Sequence, residues 1–149
     1  MRKKMPDIEY VEDRMETEDL LERLCPPVRN WFMDKFPDFT EPQKVAIPRI
    51  LNGEHLLLCS PTGSGKTLTA FLTIIDDLVR HALDGTLPDS VQCVYISPIK
   101  ALANDIEKNL LGPLEEIKER FLPSRAKEIK VGLRTGDTPQ SEREKMLRK

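Results

Sequence analysis

At 149 residues, with 39% apolar residues and a mean hydropathy of −0.42, the chain has the length and composition of one globular domain or part of one. A formal net charge of −2 excludes a dedicated nucleic-acid coat, and no apolar run reaches the about 18 residues that would span a bilayer. Three widely separated cysteines, Cys25, Cys59 and Cys93, give neither a disulfide framework nor a zinc spacing, which fits a reducing cytoplasm.

The opening MRKKMPDIEY is basic but lacks an apolar core, so it does not read as a signal peptide. Charge is uneven: the segment before Leu24 is mostly acidic, whereas Lys118 to Lys149 carries a surplus of Lys and Arg. To about Asp38 the pattern is of short helices, TEDLLERL and VRNWFMDKF, broken by Pro26, Pro27 and Pro37. Trp31, Phe32 and Phe36 are expected to pack this stretch, residues 1–38, onto residues 39–149. In TEPQKVAIPRILNG, Thr40 and Gln43 have the spacing of a capping box, Gly53 can end the helix, and Pro48 removes a backbone hydrogen bond inside it.

HLLLC then reads as a strand buried on both faces, and it feeds a loop, SPTGSGKT, that departs from G-x-x-x-x-G-K-[ST] only at Ser60. Gly63 and Gly65 let successive N–H groups turn into one concavity around phosphate oxygens, and the following helix adds its positive end. Pro61, Thr62 and Ser64 complete the loop; Lys66 supplies charge to the β and γ phosphates, and the Thr67 hydroxyl can ligate Mg²⁺. Leu68, Phe71, Leu72, Ile75, Leu78, Val79 and Ala82 repeat at helical spacing. After the turn DGTLPDS come a second buried strand, VQCVYIS, a helix KALANDIEKNLL just past Pro98, and another helix after Gly112 and Pro113 marked by Leu114, Ile117 and Phe121. A third strand, IKVGLRT, and a terminal helix, QSEREKMLRK, close the chain. Strands alternating with helix-length segments predict an α/β fold, a parallel sheet flanked by helices and preceded by short N-terminal helices, with ligands at the carboxyl ends of the strands.

TGSGKT, the upstream T-x-x-Q and the downstream YISPIKALANDI resemble superfamily 2 helicases; SPTGSGKTLTAFLTIIDDL, YISPIKALANDIEKNLLGPLEEI and VGLRTGDTPQSEREKM are similar to the Lhr-type (large helicase-related) family. The resemblance implies a RecA-like P-loop motor domain that uses ATP and Mg²⁺ and moves 3′ to 5′ on single-stranded or partly duplex nucleic acid. It places Gln43 at the adenine edge, a role that competes with its capping box, and Phe36 at an aromatic position seven residues earlier; the more distant stacking aromatic, which would fall near Pro26, is absent. Ser97 to Ala103, with Ser97, Pro98 and Lys100, matches a loop that holds a nucleic-acid backbone, although a plain strand-to-helix turn would look the same. Thr135, Gly136 and Asp137 match a second such loop and equally an ordinary capped turn; Arg143 could reach phosphate or pair with Glu142 or Glu144.

No strand ending in D-E-x-H follows within the sequence, so the acidic pair that completes a Mg²⁺ site is not found here. The residues therefore read as an incomplete first RecA-like domain of a longer helicase, inactive alone, whose missing half supplies the rest of the motor and whose unfinished sheet leaves apolar strand edges uncovered. Two other readings stay open: a non-catalytic nucleotide-binding fragment, and a P-loop small-molecule kinase that ignores nucleic acid.

Overall fold

A computed structural model describes residues 9–97 and 106–147. Six α-helices are present among them: α1 (Thr17–Arg23), α2 (Pro26–Lys35), α3 (Glu41–Leu51), α4 (Lys66–Asp84), α5 (Gly112–Phe121) and α6 (Gln140–Leu147). Pro26 and Pro27 stand in the first turn of α2, where a missing N–H leaves nothing unpaired. Phe36, forced toward extended backbone by the following Pro37, ends that helix at φ −130° and ψ 137°. Prolines thus set both ends of α2.

α3 begins with the expected capping box: Thr40 N–H donates to Gln43 Oε1 at 2.8 Å. It ends at Gly53, whose φ of 77° lets its own N–H reach Ile50 O while Glu54 N–H reaches Arg49 O. Pro48 cannot donate to Lys44 O, and that carbonyl instead accepts the N–H of Met15 at 3.1 Å. The bond lost inside the helix is replaced by one to the segment before α1.

α4 is the central element. Leu68, Leu72, Ile75, Val79 and Ala82 face a core shared with Leu20, Leu24, Val28, Trp31 and Phe32 of the first two helices, Ile47 of α3, and Leu114 and Ile117 of α5. Burying one such side chain contributes about 1.5–3 kcal/mol, so this cluster dominates the attachment of residues before Asp38 to the rest. Phe71 turns the other way, its ring 4.7 Å from that of Tyr95, so α4 buries more than the one stripe its periodicity implied. Thr69 and Thr73 survive burial by bonding back to Gly65 O and to Thr69 O and Ala70 O.

Asp76, fully buried on α4, accepts the N–H of Cys25 at 2.6 Å and the Nε–H of Arg80 at 2.7 Å. Arg80 in turn donates to Arg23 O, which ties the α1–α2 junction to α4. Burial, followed by the nearby Asp76 carboxylate, pushes the Cys25 thiol up to about 12. On the far side, Glu116 of α5 accepts Trp31 Nε1–H at 3.0 Å and pairs with Lys35, while Arg120 pairs with Asp34 at 2.6 Å.

Two expectations differ from the structure. The break at Gly112 and Pro113 is absent: a π-helical turn, Glu107–Leu111, runs directly into α5. Pro113 has no N–H and its ring crowds the carbonyl four residues back, and a wider turn relieves both demands. The predicted parallel sheet is not formed among the described residues either. Segments 55–59, 91–97 and 129–135 carry no strand, and no backbone bond joins them to one another. Leu57 and Ile96, expected inside such a sheet, are each 85% exposed. An extended segment with no neighbour cannot complete a ladder or cover its side chains.

Candidate nucleotide site

The loop between residue 59 and α4 is shaped by two left-handed glycines, Gly63 at φ 80° and Gly65 at φ 87°. They differ in surroundings. A Cβ on Gly63 would meet nothing within 4 Å, whereas one on Gly65 would stand 2.8 Å from Gln43 Nε2 and 3.3 Å from Thr40 Oγ1. The loop is therefore held from one side by the start of α3: Thr40 Oγ1 donates to Ser64 O at 2.8 Å, and Gln43 Nε2 to Gly65 O at 3.5 Å. Gln43 is 2% exposed, so both ends of its amide engage protein, one the cap of α3 and the other the loop.

Inside the loop, the Ser60 and Ser64 hydroxyls lie 2.6 Å apart, an interaction the glycine usual at position 60 could not make. Lys66, the first residue of α4, folds back so that Nζ donates to Ser60 O and, at 2.6 Å, to Pro61 O. Thr67 is half-buried in the same first turn, while Pro61 and Thr62 are exposed at the loop's rim. A cavity of about 330 Å³ adjoins the loop, lined by Lys66, Thr69 and Ala70 of α4 and by Ile50, Glu54, Leu56 and Leu58. Backbone N–H groups at a helix N-terminus, one ammonium and one free-standing hydroxyl form a donor set suited to an anion with several oxygens.

The other candidate residues lie apart from this loop or in other roles. Phe36 packs on Trp31 and Phe32, with ring centroids 5.8 and 5.0 Å away. Ser97 Oγ is buried; Pro98 and Lys100 fall outside the described residues. Thr135, Gly136 and Asp137 make a compact turn in which Thr135 N–H donates to Thr138 Oγ1 at 2.8 Å and Asp137 N–H to Thr135 Oγ1 at 3.2 Å. Arg143 clasps that turn, donating to Thr138 O and Gly136 O at 2.8 Å each. Its partners are thus carbonyls rather than Glu142 or Glu144. The contacts of Thr40 with Ser64 and of Thr69 with Gly65 went unforeseen; the capping box located Thr40 in sequence, but nothing local indicated that its hydroxyl meets a loop more than twenty residues on.

A profile of the DEAD/DEAH box helicases matches residues 40–149. The chain belongs to this helicase family. Within it, the chain is 51% identical over 140 residues to the ATP-dependent helicase Lhr-Core of Methanothermobacter thermautotrophicus, covering 93% of the chain and 16% of that protein. It is 43% identical over 147 residues to Lhr-Core of Methanocaldococcus jannaschii, covering 97% of the chain and 18% of the relative. Among solved structures it resembles the Mycobacterium smegmatis helicase Lhr bound to ssDNA and AMP-PNP, with TM-score 0.70, 41% identity, and coverage of 87% of this chain and 16% of that one. This DEAD/DEAH helicase segment is therefore RecA-like and Lhr-related, and it spans less than a fifth of the length of those relatives. Among its described residues no helix is long and apolar enough to cross a membrane.

Proposed function

We propose that the chain is the ATP-binding part of an Lhr-type helicase that moves 3′ to 5′ on single-stranded or partly duplex nucleic acid in the cytoplasm. Residues 39–149 form the first part of a RecA-like domain whose extended segments join a parallel sheet, and residues 1–38 form its helical extension. The observation that carries this reading is the loop itself: two left-handed glycines, backbone donors at the start of α4, and Lys66 held against the loop carbonyls. In the M. smegmatis relative the bound molecules are ssDNA and AMP-PNP, an ATP analogue, which supports the same ligand classes here.

The residues fit a magnesium nucleotide. With a nucleotide bound, Lys66 would exchange its two carbonyl partners for phosphate oxygens, and Gly63, Ser64 and Gly65 would offer N–H groups to them, Ser64 giving up its bond to Pro61 O. Thr67 offers the neutral oxygen that Mg²⁺ takes beside phosphate. Among the described residues there is no cluster of three or more His, Cys, Asp or Glu that could hold a metal ion. A glutamine amide has four hydrogen-bonding positions and Gln43 uses two, which leaves one donor and one acceptor. That pair would match the N7 acceptor and N6 donor of adenine and mismatch the two acceptors of guanine once the amide, 2% exposed here, turned toward a bound base. Phe36, packed on Trp31 and Phe32, is the aromatic residue assigned to the adenine side. Ser97, Pro98, Lys100, Thr135, Gly136 and Asp137 contact nucleic-acid backbone, and Arg143 holds the second of these loops in shape.

The residues of the ATP-binding step reside in this chain. In a helicase containing it, Lys66→Ala abolishes ATP hydrolysis stimulated by single strands; undiminished hydrolysis in that variant sinks the assignment.

A further inference from the structure

The start of α3 supports the phosphate loop, and α3 is itself gripped by the residues before it. Asp38 is the hub of that grip. One of its carboxylate oxygens accepts from Thr17 Oγ1, the first residue of α1, and from Phe39 N–H at 2.7 Å. The other pairs with Lys44 Nζ at 2.9 Å. Lys44 is held at its backbone too, since its carbonyl, orphaned by Pro48, takes Met15 N–H at 3.1 Å. Arg14 pairs with Glu41 at 2.8 Å, and Arg23 donates to Asn52 Oδ1 at 2.6 Å at the far end of the helix. Lys44 and Gln43 are neighbours on α3, and Thr40 stands two residues beyond Asp38. A shift of α3 would therefore carry Thr40 and Gln43 off Ser64 and Gly65.

We infer that the segment Arg14–Arg23 is a clasp that positions the phosphate loop through α3, with Asp38 as its positioning residue and Pro48 as the feature that opens the backbone acceptor for Met15. This rests on the reading of the loop as a nucleotide site, and Lys66 provides the control for that reading. The clasp predicts that nucleotide affinity depends on residues touching neither the loop nor its ligand. Asp38→Ala removes the hub. Pro48→Ala acts differently: it restores an N–H positioned to bond Lys44 O, so it competes Met15 away without altering any charge.

The test is titration of Mg-ATP into the 149-residue chain and its variants, well below each one's thermal unfolding midpoint, with backbone amide exchange followed in parallel. Asp38→Ala and Pro48→Ala each weaken ATP binding about 3- to 10-fold, the scale of one or two lost hydrogen bonds, and both speed exchange of the Met15 amide. Asp38→Asn keeps the oxygen shared by Thr17 and Phe39, loses only Lys44, and falls between. Lys35→Gln breaks an exposed ion pair on α2 that touches neither α3 nor the loop, and leaves affinity within about two-fold. Wild-type affinity in Asp38→Ala and Pro48→Ala, with binding lost in Lys66→Ala, overturns the clasp and leaves the loop reading standing. An equal loss in Lys35→Gln also overturns it, because the effect would then be general loosening. Unchanged binding in Lys66→Ala overturns both.

Discussion

Gly63 and Gly65 look alike in the sequence and in φ, yet they answer to different constraints. Gly63 faces open space, so Gly63→Ala bears only the left-handed strain of an L-residue, about 1–2 kcal/mol. At Gly65 the new methyl must also push the Gln43 amide away, losing its bond to Gly65 O and its packing, and the total rises to about 2–4 kcal/mol. Urea unfolding of the two variants checks the ranking; equal losses would mean that Gln43 does not buttress the loop. Reactivity separates the cysteines in a similar way. Cys25 is buried and its thiol is pushed up to about 12, whereas Cys59 is exposed beside the loop. Alkylation at pH 8 should modify Cys59 in the native chain and reach Cys25 only on unfolding, as peptide mass mapping would reveal. At this scale the sequence was most legible where chemistry is local. The G-K-T run and the T-x-x-Q spacing each specify nearby backbone groups, while the meeting of Thr40 with Ser64 depends on tertiary approach.

Among elements, the helices were legible because their signals are carried within a few residues: prolines at the start of α2, the capping box and Gly53 around α3, the apolar repeat of α4. What joins them was not. Asp76 is a charged residue on the buried side of α4, and only the fold reveals that it caps the N-terminus of α2 through Cys25 N–H while holding Arg80. Asp76→Ala leaves that N–H buried and unpaired. Because Arg80 is half-exposed and can recover water, the expected loss is about 2–3 kcal/mol, toward the low end for a broken buried pair. Asp76→Asn retains an acceptor for Cys25 and should recover part of it; thermal unfolding of both measures the difference. The π-helical turn before α5 was hidden for the same reason, since Pro113 reads as a break until neighbouring turns adapt to it.

The described residues couple one well-filled helical core to segments without regular structure that expose Leu57, Val91, Val94, Ile96 and Leu133. Apolar runs predicted buried strands in those segments, and the described residues carry none, because burial on both faces is a property of a finished sheet, which no single segment encodes. The chain's acid response follows from the outer ion pairs. Hydrogen bonds from Thr17 and Lys44 hold the Asp38 carboxyl below its ordinary range, and Lys35 with Trp31 does the same for Glu116. A depressed folded-state value means stability that is complete above the unfolded carboxylate value of about 4 and is lost as pH falls through the folded one. The melting temperature should therefore drop below pH 4, less steeply in Asp38→Asn and Glu116→Gln. Whether this DEAD/DEAH helicase segment is an ATP-binding module built around Lys66 is decided by calorimetric titration of Mg-ATP into the chain and its Lys66→Ala variant. Saturable binding by the chain that disappears in the variant is predicted; no binding by the chain, or equal binding by both, would contradict it.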